Sequence, residues 1–297
     1  MSVLLLTQPQ APELFSGVLR ALLPGVPIWE RAEDAVAPAV EAVLAWRLKD
    51  GMAGRYPNLR LACATAAGVE KIIDAPDLPP GAQVMRIVDP LVNTGLAQYV
   101  LAVALRHLRA LPLYEAQQRE RQWKRSPIAA VRSKVAVLGT GAMGSVVVRL
   151  LGAVGFEARG WSRASAEPLA SVLGASDIVV CALPLTVQTE GLLYAKAFAA
   201  MPRGGYLINI ARGGHVVEAD LIDAVRSGQL AGAALDVQRR EPMPADDPLW
   251  SVPGITITPH IAAQPSTTTI AAQFVEGLRC VAEGSPPPQT IDRTRGY

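Results

Sequence analysis

The chain lacks a strong charge of either sign: across 297 residues, 28 basic and 26 acidic side chains leave a formal charge of +2. Nucleic-acid and membrane-surface binders carry a basic stripe, so neither partner is expected. Cysteine is scarce. Cys63, Cys181 and Cys280 are odd in number and far apart. They read as small buried hydrophobes in a reducing compartment, with no metal site implied. No stretch approaches the ~18 uninterrupted apolar residues of a membrane span. The short apolar run at 3–6 has no basic segment before it, which points to a first strand and away from a secretory signal. Internal repeats and low-complexity tracts are missing as well. What remains is 50% hydrophobic and 18% charged, as in a globular, cytoplasmic protein long enough for two ordinary domains.

Short apolar runs occupy 3–6, 26–29, 42–46, 60–64 and 84–87, then 134–138, 157–161, 177–183, 205–210, 231–237 and 255–258. Helical patterns alternate with them, which is the signature of parallel α/β sheets, here two sheets in two domains. Residues 96–111 are apolar apart from Gln98, Arg106, His107 and Arg109. A helix apolar around most of its circumference is covered on several sides, by both domains or by a second subunit. The helical pattern at 267–283 follows the last strand and is expected to return to the first domain.

The segment from Lys134 to Gly144 reads as a strand followed by G-x-G-x-x-G at Gly139, Gly141 and Gly144. The first glycine allows a tight turn, the second lets a pyrophosphate approach the backbone, and the third lets the helix pack on the strand. Ala142, Met143 and Gly144 open that helix, whose free N–H groups suit phosphates. Between a strand and a helix this motif is a strong sign of a dinucleotide. An NAD site places an acidic residue about twenty positions further on, for the ribose 2′-OH. The chain instead reads Trp161-Ser162-Arg163, with 162 − 139 = 23. A hydroxyl and a guanidinium suit a 2′-phosphate, so NADPH is expected as the preferred cofactor and NADH as the lesser one.

Ligands of open parallel sheets bind beyond the carboxyl ends of the strands. Arg212 follows "GYLINIA", Glu241 follows "AALDVQRR" and His260 follows "ITITP", so three strand ends bring them to one edge. Reducing a 2-oxo acid takes a cation for the carboxylate, a proton for the carbonyl oxygen and a hydride. A guanidinium grips a carboxylate with two prongs, a histidine exchanges protons near neutral pH, and a neighbouring carboxylate favours the protonated ring. Each residue alone also fits a structural role. Of the other histidines, His107 reads as a core or interface residue and His215 as structural. Trp46, near "AAGV", reads either as a wall favouring small acids or as a core aromatic.

The stretches "VLGTGAMGS", "LPLTVQTEGL", "LINIARGGHVVEADLIDAVRSGQLAGAALDV", "REPMPADDPLW" and "ITPHIAA" resemble the D-isomer-specific 2-hydroxyacid dehydrogenase family across nearly the whole chain. "AVLAWRL", the Trp161-Ser162-Arg163 turn and the terminal "DRTRGY" are most similar to its glyoxylate/hydroxypyruvate reductase A branch. The resemblance implies NADPH-dependent reduction of glyoxylate and hydroxypyruvate. It casts Arg212 as the substrate anchor and His260, paired with Glu241, as the acid–base residue. Asp236 would hold the nicotinamide carboxamide, and Leu183, Pro184, Thr186, Thr189, Ile210 and Ala211 would line the cofactor channel. Ala67 and Gly68 would offer backbone N–H groups to the substrate carboxylate. Two Rossmann-like or flavodoxin-like domains are implied: a dinucleotide domain at 96–267 inserted in a substrate domain at 1–95 and 268–297. The helix at 96–111 would join a homodimer. Gln238 departs from the family's usual aromatic, and "CATAAG" from its frequent serine.

Two other readings stand beside this one. "GTGAMG" also resembles the loop of β-hydroxyacid dehydrogenases, but those open with their Rossmann strand and use a lysine, whereas here about 130 residues precede the loop. Some corepressors share the dehydrogenase fold, which keeps a dinucleotide-sensing regulator in view.

Overall fold

A computed structural model describes residues 2–66, 68–125 and 133–293. In chain order it contains β1 (Ser2–Leu6), α1 (Glu13–Leu22), β2 (Ile28–Trp29), β3 (Val40–Ala45), β4 (Leu61–Ala64), α2 (Glu70–Ile73), β5 (Gln83–Met85), α3 (Pro90–Leu108) and α4 (Leu111–Arg119). There follow β6 (Lys134–Leu138), α5 (Ala142–Ala153), β7 (Glu157–Trp161), α6 (Leu169–Gly174), β8 (Ile178–Cys181) and α7 (Ala195–Ala200). The chain continues through β9 (Gly205–Asn209), α8 (Glu218–Arg226), β10 (Leu230–Leu235), β11 (Ile255–Ile257) and α9 (Thr267–Ala282). Every apolar run expected to be a strand is one, with ends moved by at most two residues. The edge strand β2 is cut to Ile28–Trp29, because Pro27 before it has no N–H to pair.

Two compact units result, one of Met1–Leu91 with Gln264–Tyr297 and one of Val92–Ala263. The crossings lie slightly N-terminal of the anticipated 95/96 and 267/268; near the first, α3 already starts at Pro90. The first unit holds a sheet in the order β2-β1-β3-β4-β5, the second a sheet in the order β11-β10-β9-β8-β6-β7. All pairings are parallel. Both are open, doubly wound sheets, and in the second the order reverses between β6 and β8. Crevices at such switch points are where α/β sheets bind ligands.

In the second unit β8 and β9 are buried along their full length, as expected of strands covered by helices on both faces. In the first, Ile270, Ala271, Phe274 and Leu278 of α9 join Phe15 and Leu19 of α1 over the sheet. The long apolar helix is correctly located and wrongly bounded by the pattern. Ala110, with a left-handed φ of 50°, separates α3 from α4, and Pro112 in the first turn of α4 has no N–H to continue the earlier helix. Leu96, Ala97, Val100 and Ala104 bury one face of α3 on the second sheet. His107 stacks on Tyr206 at the start of β9, ring centroids 4.1 Å apart, and burial lowers the pKa of its ring.

Candidate active site

The glycine loop after β6 is built by close approach. Gly139 has a φ of 111°, open to glycine but not to most residues, and a Cβ there would press on the carbonyl of Ala182. A Cβ at Gly144 would overlap the carbonyl oxygen of Gly139, whereas one at Gly141 would meet nothing. The turn is therefore closed on its protein side and open over Gly141. No side chain caps α5, and Gly141 and Ala142 are exposed, so the first-turn N–H groups face outward as an anion site requires.

At the end of β7 the three residues divide. Trp161 turns its ring into the core, and its Nε1 donates to Glu167 O at 2.9 Å. Ser162 is half-buried and Arg163 exposed. The Arg163 guanidinium donates to Gln188 Oε1 at 3.3 Å, which links this turn to the loop after β8. In that loop Thr189 is fully buried: its hydroxyl donates to Pro184 O at 2.7 Å and accepts from Thr186 N–H at 2.8 Å. It shapes the loop from inside, while Pro184 and Thr186 retain surface. Cys181, at the end of β8, is buried, which pushes its thiol up to about 12 and keeps it protonated.

Beyond β9, the buried Asn209 side chain donates to Arg212 O at 3.0 Å and accepts from Ala211 N–H at 3.1 Å. His215, wholly buried, sets Nδ1 2.9 Å from Arg212 O and Nε2 3.3 Å from Pro184 O, so it braces the loops after β8 and β9. The Arg212 guanidinium reaches the Ala211 carbonyl at 2.7 Å. Gly213 lies so close to the next loop that a Cβ would fall inside the backbone of Gln238 and Arg239. Gly213→Ala should destabilise the fold by about 1–3 kcal/mol through overpacking. Because the displaced backbone carries Arg212 and lies near Glu241, kcat/KM should also fall beyond the loss of folded protein. Melting curves and kinetics on one preparation check this; unchanged values in both would mean the two loops can part freely.

After β10 and β11 the geometry closes. His260 Nδ1 lies 3.2 Å from both oxygens of Glu241, with side-chain exposures of 25% and 18%. With Nδ1–H given to the carboxylate, the ring is oriented from its Nδ1 side and Nε2 lies on its opposite edge. The backbone N–H of Gln238 also donates to Glu241 Oε1, at 3.3 Å. Asp236 is 1% exposed, and its carboxylate accepts from the Thr258 hydroxyl and from the N–H groups of Ile261 and Ala262. Among the described residues no cluster of three or more His, Cys, Asp or Glu could hold a metal.

In the first unit Trp46 follows β3, half-buried, with Lys71 Nζ 4.5 Å from its ring centroid in a cation–π contact. Gly68 precedes α2, which carries Lys71. Ala67 lies outside the described residues.

The sequence profile of the D-isomer specific 2-hydroxyacid dehydrogenase NAD binding domain matches residues 101–262. A glyoxylate/hydroxypyruvate reductase A from Yersinia enterocolitica is 33% identical, over 97% of this chain and 97% of its own. The chain belongs to the D-isomer specific 2-hydroxyacid dehydrogenase family. A family member from Xanthobacter autotrophicus Py2, solved in complex with NADPH and MES, superposes with a TM-score of 0.82 at 36% identity, covering 100% of this chain and 99% of that one. An NADPH-dependent glyoxylate/hydroxypyruvate reductase from Sinorhizobium meliloti, in complex with NADP and sulfate, gives 0.85 at 29% identity over the whole of both chains.

Family membership removes the β-hydroxyacid dehydrogenase alternative and accounts for the long segment before the glycine loop. Several residues that hold the candidate site together lie within or beside the family-like stretches, yet their residue types alone suggest no role there. Asn209, His215, Gln238 and Thr258 act on partners 3–31 positions away. Only Asn209, at the end of an apolar strand, stands out as a polar residue where a buried one needs a partner.

Proposed function

We propose that this chain uses NADPH to reduce small 2-oxo acids, glyoxylate and hydroxypyruvate foremost, to 2-hydroxy acids. The observation that carries the reading is the His260–Glu241 pair at 3.2 Å, on the loops after β10 and β11, next in the sheet to the Arg212 loop after β9. Relatives named for this activity support it.

The Arg212 guanidinium binds the substrate carboxylate with two prongs. His260 Nε2 gives a proton to the carbonyl oxygen as the carbon is reduced, and Glu241 orients the ring through Nδ1. NADPH, when bound, supplies the hydride. Its phosphates fit the N–H groups of Gly141, Ala142, Met143 and Gly144, and its 2′-phosphate fits Ser162 and Arg163. Leu183, Pro184, Thr186, Ile210 and Ala211 border the channel, with Trp161 and Thr189 supporting its walls. Asp236 keeps one acceptor position on Oδ2 for the nicotinamide carboxamide. Trp46 limits substrate size.

The cofactor assignment is tested with hydroxypyruvate by comparing kcat/KM for NADPH and NADH, in the native protein and in Arg163→Ala. NADPH should win, and the variant should lose about 1.5–3 kcal/mol with NADPH and little with NADH. Equal values for the two cofactors in the native protein would overturn it.

We also infer a cytoplasmic homodimer joined through the 96–111 region, where Leu105 and Leu111 keep 37% and 46% of their surface exposed and Leu113 42%. Light scattering that returns a monomer mass would exclude it.

A further inference from the structure

His260 has a φ of 57°, in the left-handed region that non-glycine residues rarely enter. Such a conformation persists only where its surroundings fix it. Here the His260 N–H is shared by Asp236 O at 2.8 Å and Thr258 O at 3.0 Å. The next two N–H groups, of Ile261 and Ala262, both reach the Asp236 carboxylate at 2.9 Å. The turn that carries His260 is therefore wrapped around one buried carboxylate.

What holds that carboxylate is Thr258. Its hydroxyl donates to Asp236 Oδ1 at 2.6 Å. A hydroxyl has one proton, so the 2.7 Å contact between Thr258 Oγ1 and Tyr99 Oη must be donated by Tyr99. Burial raises the Tyr99 phenol above its ordinary range, which keeps it a donor. The Thr258 backbone is pinned as well: its N–H donates to Leu235 O at 3.0 Å, and its carbonyl accepts the Gln238 amide at 3.4 Å. Gln238 in turn touches Glu241. A directed line of donors thus runs from α3, through Tyr99 and Thr258, to Asp236.

We propose that Thr258, its hydroxyl oriented by Tyr99, is a positioning residue: it fixes the Asp236 carboxylate and through it the left-handed turn that aims His260 Nδ1 at Glu241. The proposal rests on the reading of His260 as the proton donor. The ionisable groups around this turn are Glu241, Asp236 and Tyr99, with Arg212 on the neighbouring loop.

Thr258→Val keeps the shape and removes the donor; Thr258→Ser keeps the donor; Tyr99→Phe removes only the far hydroxyl. All three are compared as NADPH-loaded enzyme for kcat and for KM of the 2-oxo acid. Thr258→Val should lower kcat about 10- to 100-fold, as befits a buried carboxylate left one bond short. KM should stay near its native value, because a misaimed ring weakens the proton transfer and leaves the anchor of the substrate carboxylate in place. Thr258→Ser should restore kcat. Tyr99→Phe should lower kcat by less, and it serves alone if Thr258→Val fails to fold. An undiminished kcat in Thr258→Val or, failing that variant, in Tyr99→Phe overturns the proposal, as does a fall in kcat matched by a rise in KM. So does a Thr258→Ser as impaired as Thr258→Val. His260→Ala separates the two levels: if it turns over normally, the underlying reading fails, whereas an inactive His260→Ala beside a fully active Thr258→Val removes only the role of Thr258.

Discussion

His260→Ala is expected to slow the chemical step by at least the ~10²–10⁴-fold typical of a positioned acid–base group, while NADPH still binds. The expectation follows from the tautomer. With Nδ1 directed at Glu241 at 3.2 Å, only Nε2 can serve the substrate, and no other histidine of the chain is placed to replace it. His215 is fully buried between two backbone carbonyls, and His107 is stacked on Tyr206. Glu241→Gln should act through the same ring. Without the carboxylate the ring loses the partner that orients it through Nδ1, so the chemical step should slow while cofactor affinity holds. Single-turnover rates, with cofactor affinity by fluorescence titration, check both variants. A Glu241→Gln rate equal to the native one would take Glu241 out of the mechanism.

Arg212→Lys should be nearly as damaging although it keeps the charge. A guanidinium presents parallel N–H groups to both oxygens of a carboxylate, and an ammonium presents a point. Losing one charge-assisted bond costs on the order of 1.5–3 kcal/mol, or roughly 10- to 150-fold in kcat/KM. Both parameters should suffer, KM rising as the anchor weakens and kcat falling as the carbonyl drifts from His260. The backbone around Arg212 is fixed independently of its side chain by Asn209 and His215, so the fold should be unaffected. Steady-state kinetics on a 2-oxo acid decides the matter, and a lysine variant with native KM would mean another group binds the carboxylate.

Both parallel sheets were legible in the sequence because each strand is a short apolar run with its own punctuation. The glycine loop was legible for the same reason: strand, turn and helix are contiguous, and Gly144 is demanded by its close approach to Gly139 inside that unit, whereas the approach of Gly139 to Ala182 comes from the loop after β8. Arg212, Glu241 and His260 could be singled out because each lies in the loop after a strand, beyond Asn209, Leu235 and Ile257, and parallel topology collects strand ends. The extent of α3 was less visible, since apolar residues continue into α4 and only Ala110 and Pro112 mark the break. Least visible were contacts set by tertiary folding. Thr258 lies in the family-like stretch "ITPHIAA", but its hydrogen-bonding role is invisible until Tyr99 arrives from 159 positions away. Nor does the local sequence reveal that Thr189 and Trp161 turn inward, which depends on what packs above them.

The central claim is tested most directly by following NADPH oxidation against a panel of 2-oxo acids running from glyoxylate and hydroxypyruvate to phenylpyruvate. The account predicts turnover with the small acids and a markedly lower kcat/KM for phenylpyruvate, as the role proposed for Trp46 requires. A preference for phenylpyruvate would remove Trp46 from that role while leaving the dehydrogenase reading intact. NADPH binding tightly with no turnover of any 2-oxo acid would contradict the account itself, and would leave a protein that senses the dinucleotide on a dehydrogenase fold.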